Sequence, residues 1–244
     1  MAEVIVALDV PSADEAFSLV GQLGDSGAFY KVGLELYTRE GPALVRRLKE
    51  HGKKVFLDLK LHDIPNTVAG AVRAAAELEV DLLTLHTLGG RSMLEAAVGA
   101  VGESQATDAR MRLLGVTVLT SLSATEVETT WGHSILSLRD EVVRLGELGA
   151  EGGLDGVVAS VLEARELKRK LGAEFLVVTP GIRLPGGESH DQARVATPAA
   201  AVRAGADFLV VGRAVTAAEE PRRELERILV ELRPPARAVG EARR

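Results

Sequence analysis

Short apolar runs rich in Val, Leu and Ile recur along the chain at residues 4–10, 29–36, 54–61, 82–87, 112–119, 156–159, 175–181 and 208–214. Their length and composition predict β-strands. Between them lie amphipathic or alanine-rich stretches, among them SADEAFSLVGQLG, EGPALVRRLKEHG, NTVAGAVRAAAELE and LRDEVVRLGELG, whose apolar positions recur with a helical period. Eight strands thus alternate with eight helices. Strands separated by about 20 to 35 residues need crossover helices, which makes the sheet parallel, and eight such units close a barrel. An open doubly wound sheet is the structural alternative, but its glycine-rich phosphate loop is missing where the first strand runs into LDVPSADEA. The expectation is an α/β protein folded as a single (β/α)8 TIM barrel, one catalytic domain over residues 1–244. Its tail, RPPARAVGEARR, carries two prolines and mixed charge and is expected to fray from about residue 234.

Composition narrows the chemistry. The 244 residues suit one barrel, and an aromatic content of 3% predicts an aliphatic core. With no cysteine there is no disulfide, no thiolate metal site and no cysteine nucleophile. The net charge of −6 argues against nucleic acid or an anionic membrane as partner, so an anionic ligand must meet a local cluster of positive charge. The N-terminal MAEVIVALDVPSADE lacks the basic start of a secretory signal, and no apolar run approaches the roughly 18 residues of a membrane span. A cytoplasmic protein is expected.

Two connections are long, TSLSATEVETTWGHS at 120–134 and GIRLPGGESHDQ at 181–192. In a barrel both fall at the C-terminal mouth, where active sites are built. Gly181, Gly186 and Gly187 with Pro185 give the second the composition of a lid. The segment KVFLDLKLHDIPNT at 54–67 is the most informative. Strand alternation turns Asp58 and Lys60 to one face and Leu57, Leu59 and Leu61 to the other. With the leucines packed under helices, the carboxylate and ammonium face the mouth, and Asp63 follows on a loop begun before Pro65. A structural ion pair is the plain alternative; three charged groups within six residues at the functional end weigh against it.

Asp9 at the end of the first strand and Lys31 within the second add charge to the same mouth. Thr120 and Ser121 after the fifth strand could offer hydroxyls, although both residue types are common in turns. Gly212 and Arg213 follow the eighth strand, where barrels commonly bind phosphate on free backbone N–H groups, and Arg183 and Gln192 could reach the same place. The five histidines have no metal-ligand spacing, and none is expected to be catalytic. His62 shares the face of Lys60 only if strand pairing extends to it.

Taken together, LDVP at 8–11, KVG at 31–33, DLKLHDIPNT at 58–67, VTVLTS at 116–121, TPGIR at 179–183 and VVGRAV at 210–215 resemble the orotidine 5′-phosphate decarboxylase family, in order and over nearly the whole chain. The resemblance implies a homodimeric barrel that converts orotidine 5′-phosphate to UMP and CO2, the last step of de novo UMP synthesis, with no metal and no organic cofactor. It implies that Lys60 donates a proton to C6 of the pyrimidine and that Asp58 lies beside the departing carboxylate. Asp63 and Thr67 would enter from the other subunit, so that active sites are shared. Lys31 and Asp9 would bind ribose hydroxyls, Thr120 and Ser121 would lie near the base, and Arg183, Gln192, Gly212 and Arg213 would hold the phosphate.

Two rival readings fit the same residues. Mg²⁺-dependent sugar-phosphate decarboxylases and aldolases of the same superfamily share a D-x-K-x-x-D core, but carry a carboxylate in strand two where this chain has Lys31. A non-catalytic nucleotide-binding barrel would be marked by loss of Lys60 or Asp58, and both are present.

Overall fold

The apolar runs become the strands of a closed parallel barrel. The computed structural model describes residues 2–104, 110–184 and 196–232. Within them lie β1 (Glu3–Ala7), β2 (Phe29–Gly33), β3 (Lys54–Leu61), β4 (Leu82–His86), β5 (Arg112–Val116), β6 (Gly156–Val158), β7 (Leu176–Thr179) and β8 (Phe208–Val211). They pair in chain order, and β8 closes onto β1 through Glu3–Phe208 to Val6–Val211. The single (β/α)8 barrel expected from the pattern is the fold observed. The expected tail from about residue 234 lies outside the described residues.

Ten α-helices surround the strands among the described residues, rather than the expected eight: α1 (Ala13–Leu23), α2 (Leu34–Glu50), α3 (Pro65–Ala76), α4 (Arg91–Ser104), α5 (Ala124–Trp131), α6 (Leu138–Glu151), α7 (Val161–Leu171), α8 (Pro198–Ala204), α9 (Arg213–Thr216) and α10 (Pro221–Glu231). The additions are α5, inside the connection read as a long loop at 120–134, and the short α9. Ser123 and Glu126 form a capping box that starts α5, and Gly132 ends it in the left-handed conformation. Helix α2 begins at Leu34, inside the run read as strand to residue 36. The strand stops at Gly33, and Leu36 is buried from a helix instead. No helix among the described residues is long and apolar enough to cross a membrane.

Alternation sorts the side chains into two layers. Outward residues such as Val6, Tyr30, Val32, Val55, Leu57, Leu83 and Leu209 join the helix faces in one large core. A second outer cluster packs Val157 and Val177 against Val127, Val142, Leu145 and Leu167. The barrel interior holds Ile5, Ala7, Phe29, Phe56, Leu82, Leu114, Leu176, Val178, Phe208 and Val210. Aromatics are therefore scarce but concentrated: three of the five phenylalanines sit inside the barrel, and Phe29 meets Phe208 edge to face at 5.9 Å. A closed eight-stranded interior needs bulky side chains to fill its centre, which corrects the expectation of a wholly aliphatic core.

At the opposite end from the mouth, one device recurs three times. Asp81, Asp155 and Asp207 immediately precede β4, β6 and β8. Each donates its backbone N–H to the preceding strand, to the carbonyls of Val55, Leu113 and Val177 at 2.9, 3.0 and 2.9 Å. Each carboxylate accepts the N–H of that same residue, at 2.8, 2.8 and 2.7 Å. Lys49, Arg110 and Lys168 neutralise them in turn. An N–H left without its acceptor costs about 1–3 kcal/mol. Asp81→Ala is therefore expected to lose about 1–3 kcal/mol in guanidinium unfolding while leaving the mouth unchanged; a loss below about 0.5 kcal/mol would show that water replaces the carboxylate there.

Candidate active site

Strand β3 carries the site, and it does so through an irregularity. It pairs evenly with β2 as far as Gly33–Asp58. Against β4 the register shifts: Leu57 pairs with Leu83, but Leu61 pairs with Leu85, so four steps on β3 match two on β4. This is a bulge. At its centre Lys60 has φ +51°, and its N–H donates to Thr84 Oγ1 at 2.9 Å. A non-glycine residue held in that region costs about 1–3 kcal/mol. The leucines still face the helices and Asp58 and Lys60 still face the mouth, as alternation predicts, but the backbone reaches that result through a left-handed turn.

The charges then form a row. Lys31 Nζ lies 2.9 Å from Asp9 Oδ1 and 3.7 Å from Asp58 Oδ2, and Lys60 Nζ lies 2.8 Å from Asp58 Oδ2. Asp58 is only 8% exposed, and its second oxygen accepts the Thr84 hydroxyl at 2.9 Å. Burial alone would raise the Asp58 carboxyl pKa. Lys31, Lys60 and the hydrogen bonds from Lys60 and Thr84 outweigh it and hold the group below the ordinary carboxylate range. Gly33 makes room for this row: a Cβ there would stand 3.0 Å from Lys31 Nζ and 3.4 Å from Asp9 Oδ1. The glycine of KVG is thus explained by close approach rather than by backbone freedom.

These groups open into a cavity of about 410 Å³ at the C-terminal ends of the strands. Asp9, Lys31, Asp58 and Lys60 line one side, while Val116, Val158 and Val210 supply an apolar wall and Phe56 lies among the lining residues. Arg183 and Arg213, which follow β7 and β8, also line the cavity. In an eight-stranded ring β7 stands across from β3, so Arg183 faces the Lys60 side over the mouth. Arg183 is buried and donates to the carbonyl of Ile182 at 2.9 Å. Burial and the neighbouring Arg213 both lower its pKa, so the pair favours an anion between them. A larger depression, about 890 Å³, lies on the flank along α6 and α7. Its charges are paired, Arg139 and Arg144 with Glu166 and Glu141 and Lys170 with Glu147, and no strand end reaches it.

Of the residues singled out from sequence, Asp9, Lys31, Asp58, Lys60, Thr120, Arg183, Gly212 and Arg213 all line this one cavity. Asp63 and Thr67 do not; they are exposed at the entry to α3, beside Ile64, which is 68% exposed. Ser121 is exposed and lies outside the lining as well. Gln192, with Pro185, Gly186 and Gly187 of the anticipated lid, falls outside the described residues. The described residues on either side of that segment are tied together, since Arg183 N–H donates to the Ala196 carbonyl and Ala196 N–H to the Gly181 carbonyl, at 2.9 and 3.1 Å. His62 lies just beyond β3, and its ring is 5.4 Å from that of His86, whose protonation is disfavoured by burial, His62 and Lys60. Sequence reasoning missed Thr84, which reads as an ordinary strand threonine in LLTLHT.

A family model described as orotidine 5′-phosphate decarboxylase / HUMPS family matches residues 2–228. The chain belongs to this family. Its relatives include an orotidine 5′-phosphate decarboxylase of Halorhodospira halophila, 51% identical over 94% of this chain and 95% of that protein. Another, from Moorella thermoacetica, is 48% identical over 90% of this chain and 87% of that one. Among solved structures, the orotidine 5′-phosphate decarboxylase of Lactobacillus acidophilus superposes with a TM-score of 0.84 at 36% identity, covering 96% of this chain and all of that one. The family's motif segments are thus the same segments that converge here on one cavity. Chemically, that cavity can hold an anion at Arg183 and Arg213 and a polar ring system against its valine wall, and it presents a half-buried ammonium, Lys60, pressed against the Asp58 carboxylate.

Proposed function

We propose that this chain decarboxylates orotidine 5′-phosphate to UMP and CO2. The observation that carries the reading is the row Asp9–Lys31–Asp58–Lys60, set across the mouth from two arginines. Breaking the bond between C6 and the carboxylate leaves an electron pair in the plane of the ring, where conjugation cannot spread it. Stabilisation must then be electrostatic, from a charge fixed before the reaction begins. Lys60 Nζ, held against Asp58, supplies that charge and afterwards transfers a proton to C6, so that the electron pair forms the new C–H bond. Asp58 stands where the substrate carboxylate leaves, and repulsion between the two is relieved as CO2 departs.

The remaining assignments follow the cavity's layout. Arg183, Arg213 and the backbone at Gly212 take the phosphate, a role the family resemblance also assigns to Gln192; Lys31 and Asp9 take ribose hydroxyls; Thr120 and Ser121 serve the base. Binding energy from the remote phosphate then holds the reacting carbon against Lys60. Asp63 and Thr67 act in the site of a second copy of the chain, which is supported by their exposure beside Ile64 and by their absence from the lining of their own cavity. The reaction asks for no metal and no organic cofactor. The Mg²⁺-dependent rival is disfavoured by Lys31, whose ammonium lies between the two carboxylates a cation would need.

The test is to follow the loss of orotidine 5′-phosphate absorbance with EDTA present. Turnover to UMP at an undiminished rate is expected. Absence of turnover, or turnover restored only by Mg²⁺, overturns the reading.

A further inference from the structure

Thr84 belongs to neither the family-like motifs nor the cavity lining, yet its one hydroxyl joins the two groups on which the site depends. It is fully buried on β4. Its Oγ1 donates to Asp58 Oδ1 and accepts the N–H of Lys60, both at 2.9 Å. A hydroxyl has one hydrogen, so these two bonds together fix its orientation. The second bond answers a specific need. Where the β3–β4 register shifts, the Lys60 N–H points to a side-chain oxygen instead of continuing the regular ladder. The first bond sets the plane of the Asp58 carboxylate, leaving Oδ2 for Lys60 at 2.8 Å and Lys31 at 3.7 Å.

We propose that Thr84 is a positioning residue for the decarboxylation, holding the left-handed turn at Lys60 and the plane of Asp58 so that the ammonium is fixed at the reacting carbon. The inference rests on the function proposed above. Thr84 itself touches no substrate in this arrangement; it acts through its two neighbours. Valine keeps the shape of the side chain but removes both hydrogen bonds. The turn at Lys60 is then free to relax toward ordinary strand geometry, which carries the ammonium away from its place. A displacement of about 1 Å at a reacting centre lowers rate by roughly 100-fold. The phosphate and ribose contacts lie elsewhere in the cavity, so product binding is not expected to follow.

The experiment compares Thr84→Val and Thr84→Ser with the parent enzyme, by kcat, KM and the dissociation constant of UMP. It adds a carboxyl-carbon NMR titration of Asp58 in the ligand-free proteins. For Thr84→Val, kcat is expected to fall by about 100-fold while UMP affinity stays within about threefold, and the Asp58 midpoint should rise because one bond to its charged form is gone. Thr84→Ser keeps the hydroxyl and should recover kcat to within about fivefold. If Thr84→Val does not fold, Thr84→Ala takes its place with the same expectations. Unimpaired turnover, an unmoved Asp58 midpoint, or a serine variant as slow as the valine one overturns the proposal. If the parent itself does not decarboxylate orotidine 5′-phosphate, the proposed function fails, and that outcome is separate from all of these.

Discussion

Lys60→Ala is expected to lower turnover by about four to seven orders of magnitude, the product of a lost electrostatic stabiliser and a lost proton donor. That corresponds to about 5–10 kcal/mol of barrier. The size follows from the position of the ammonium. It is the cation on the bulge of β3, held 2.8 Å from Asp58, and the cavity offers Lys31 as the next ammonium, already engaged by Asp9 at 2.9 Å. The variant should still fold, because Asp58 keeps Lys31 and the Thr84 hydroxyl as partners. UMP should still bind within about tenfold, since its phosphate is assigned to Arg183 and Arg213 on the far wall. Lys60→Arg should not rescue the rate: a guanidinium holds its proton too tightly to deliver it and is too broad for the space beside Asp58. Single-turnover assays with enzyme in excess measure this directly. Residual turnover within about 100-fold of the parent would remove Lys60 from both roles.

The barrel was legible because each strand is a compact run of branched apolar residues and each crossover is amphipathic, so the count of eight survives errors at the edges. Those errors have identifiable causes. Leu34 and Leu36 look alike in a strand or a buried helix, and only the stop of pairing at Gly33–Asp58 decides between them. Helix α5 was marked in the sequence by S-A-T-E, a capping box, but the polar residues around it resemble a loop. In the site, alternation and motif brought Asp58 and Lys60 together with Asp9 and Lys31. Nothing local could announce the positive φ of Lys60, since lysine has no preference for that region and the bulge exists only against β4. Thr84 was hidden for the same reason: its two bonds reach 24 and 26 residues back in the chain. Asp63 was legible as a third charge beside the strand end, but its action across subunits and any role for Thr67 could be read only by resemblance, because a single chain does not bring them to its own cavity.

The largest gain of function is expected from mixing two inactive proteins. The Lys60→Ala and Asp63→Ala proteins should each be nearly silent on their own. If Asp63 acts across a twofold interface, subunit exchange creates heterodimers with one intact site, formed by Lys60 of the Asp63→Ala chain and Asp63 of the Lys60→Ala chain. The other site of that heterodimer carries both lesions. Random pairing of equal amounts makes about half the dimers mixed, and half their sites intact, so about a quarter of the parent activity should return. The geometry favours this outcome over an in-chain role. Asp63 is exposed, its Oδ1 accepts the N–H of Ile64 at 2.7 Å, and it forms no ion pair among the described residues. Ile64 beside it leaves 68% of its surface uncovered, an apolar side chain placed where a second copy would bury it. Sedimentation before and after mixing establishes that dimers form and exchange. Verified heterodimers without recovered activity would place Asp63 outside the shared site, and activity in the unmixed Asp63→Ala protein would make the carboxylate dispensable.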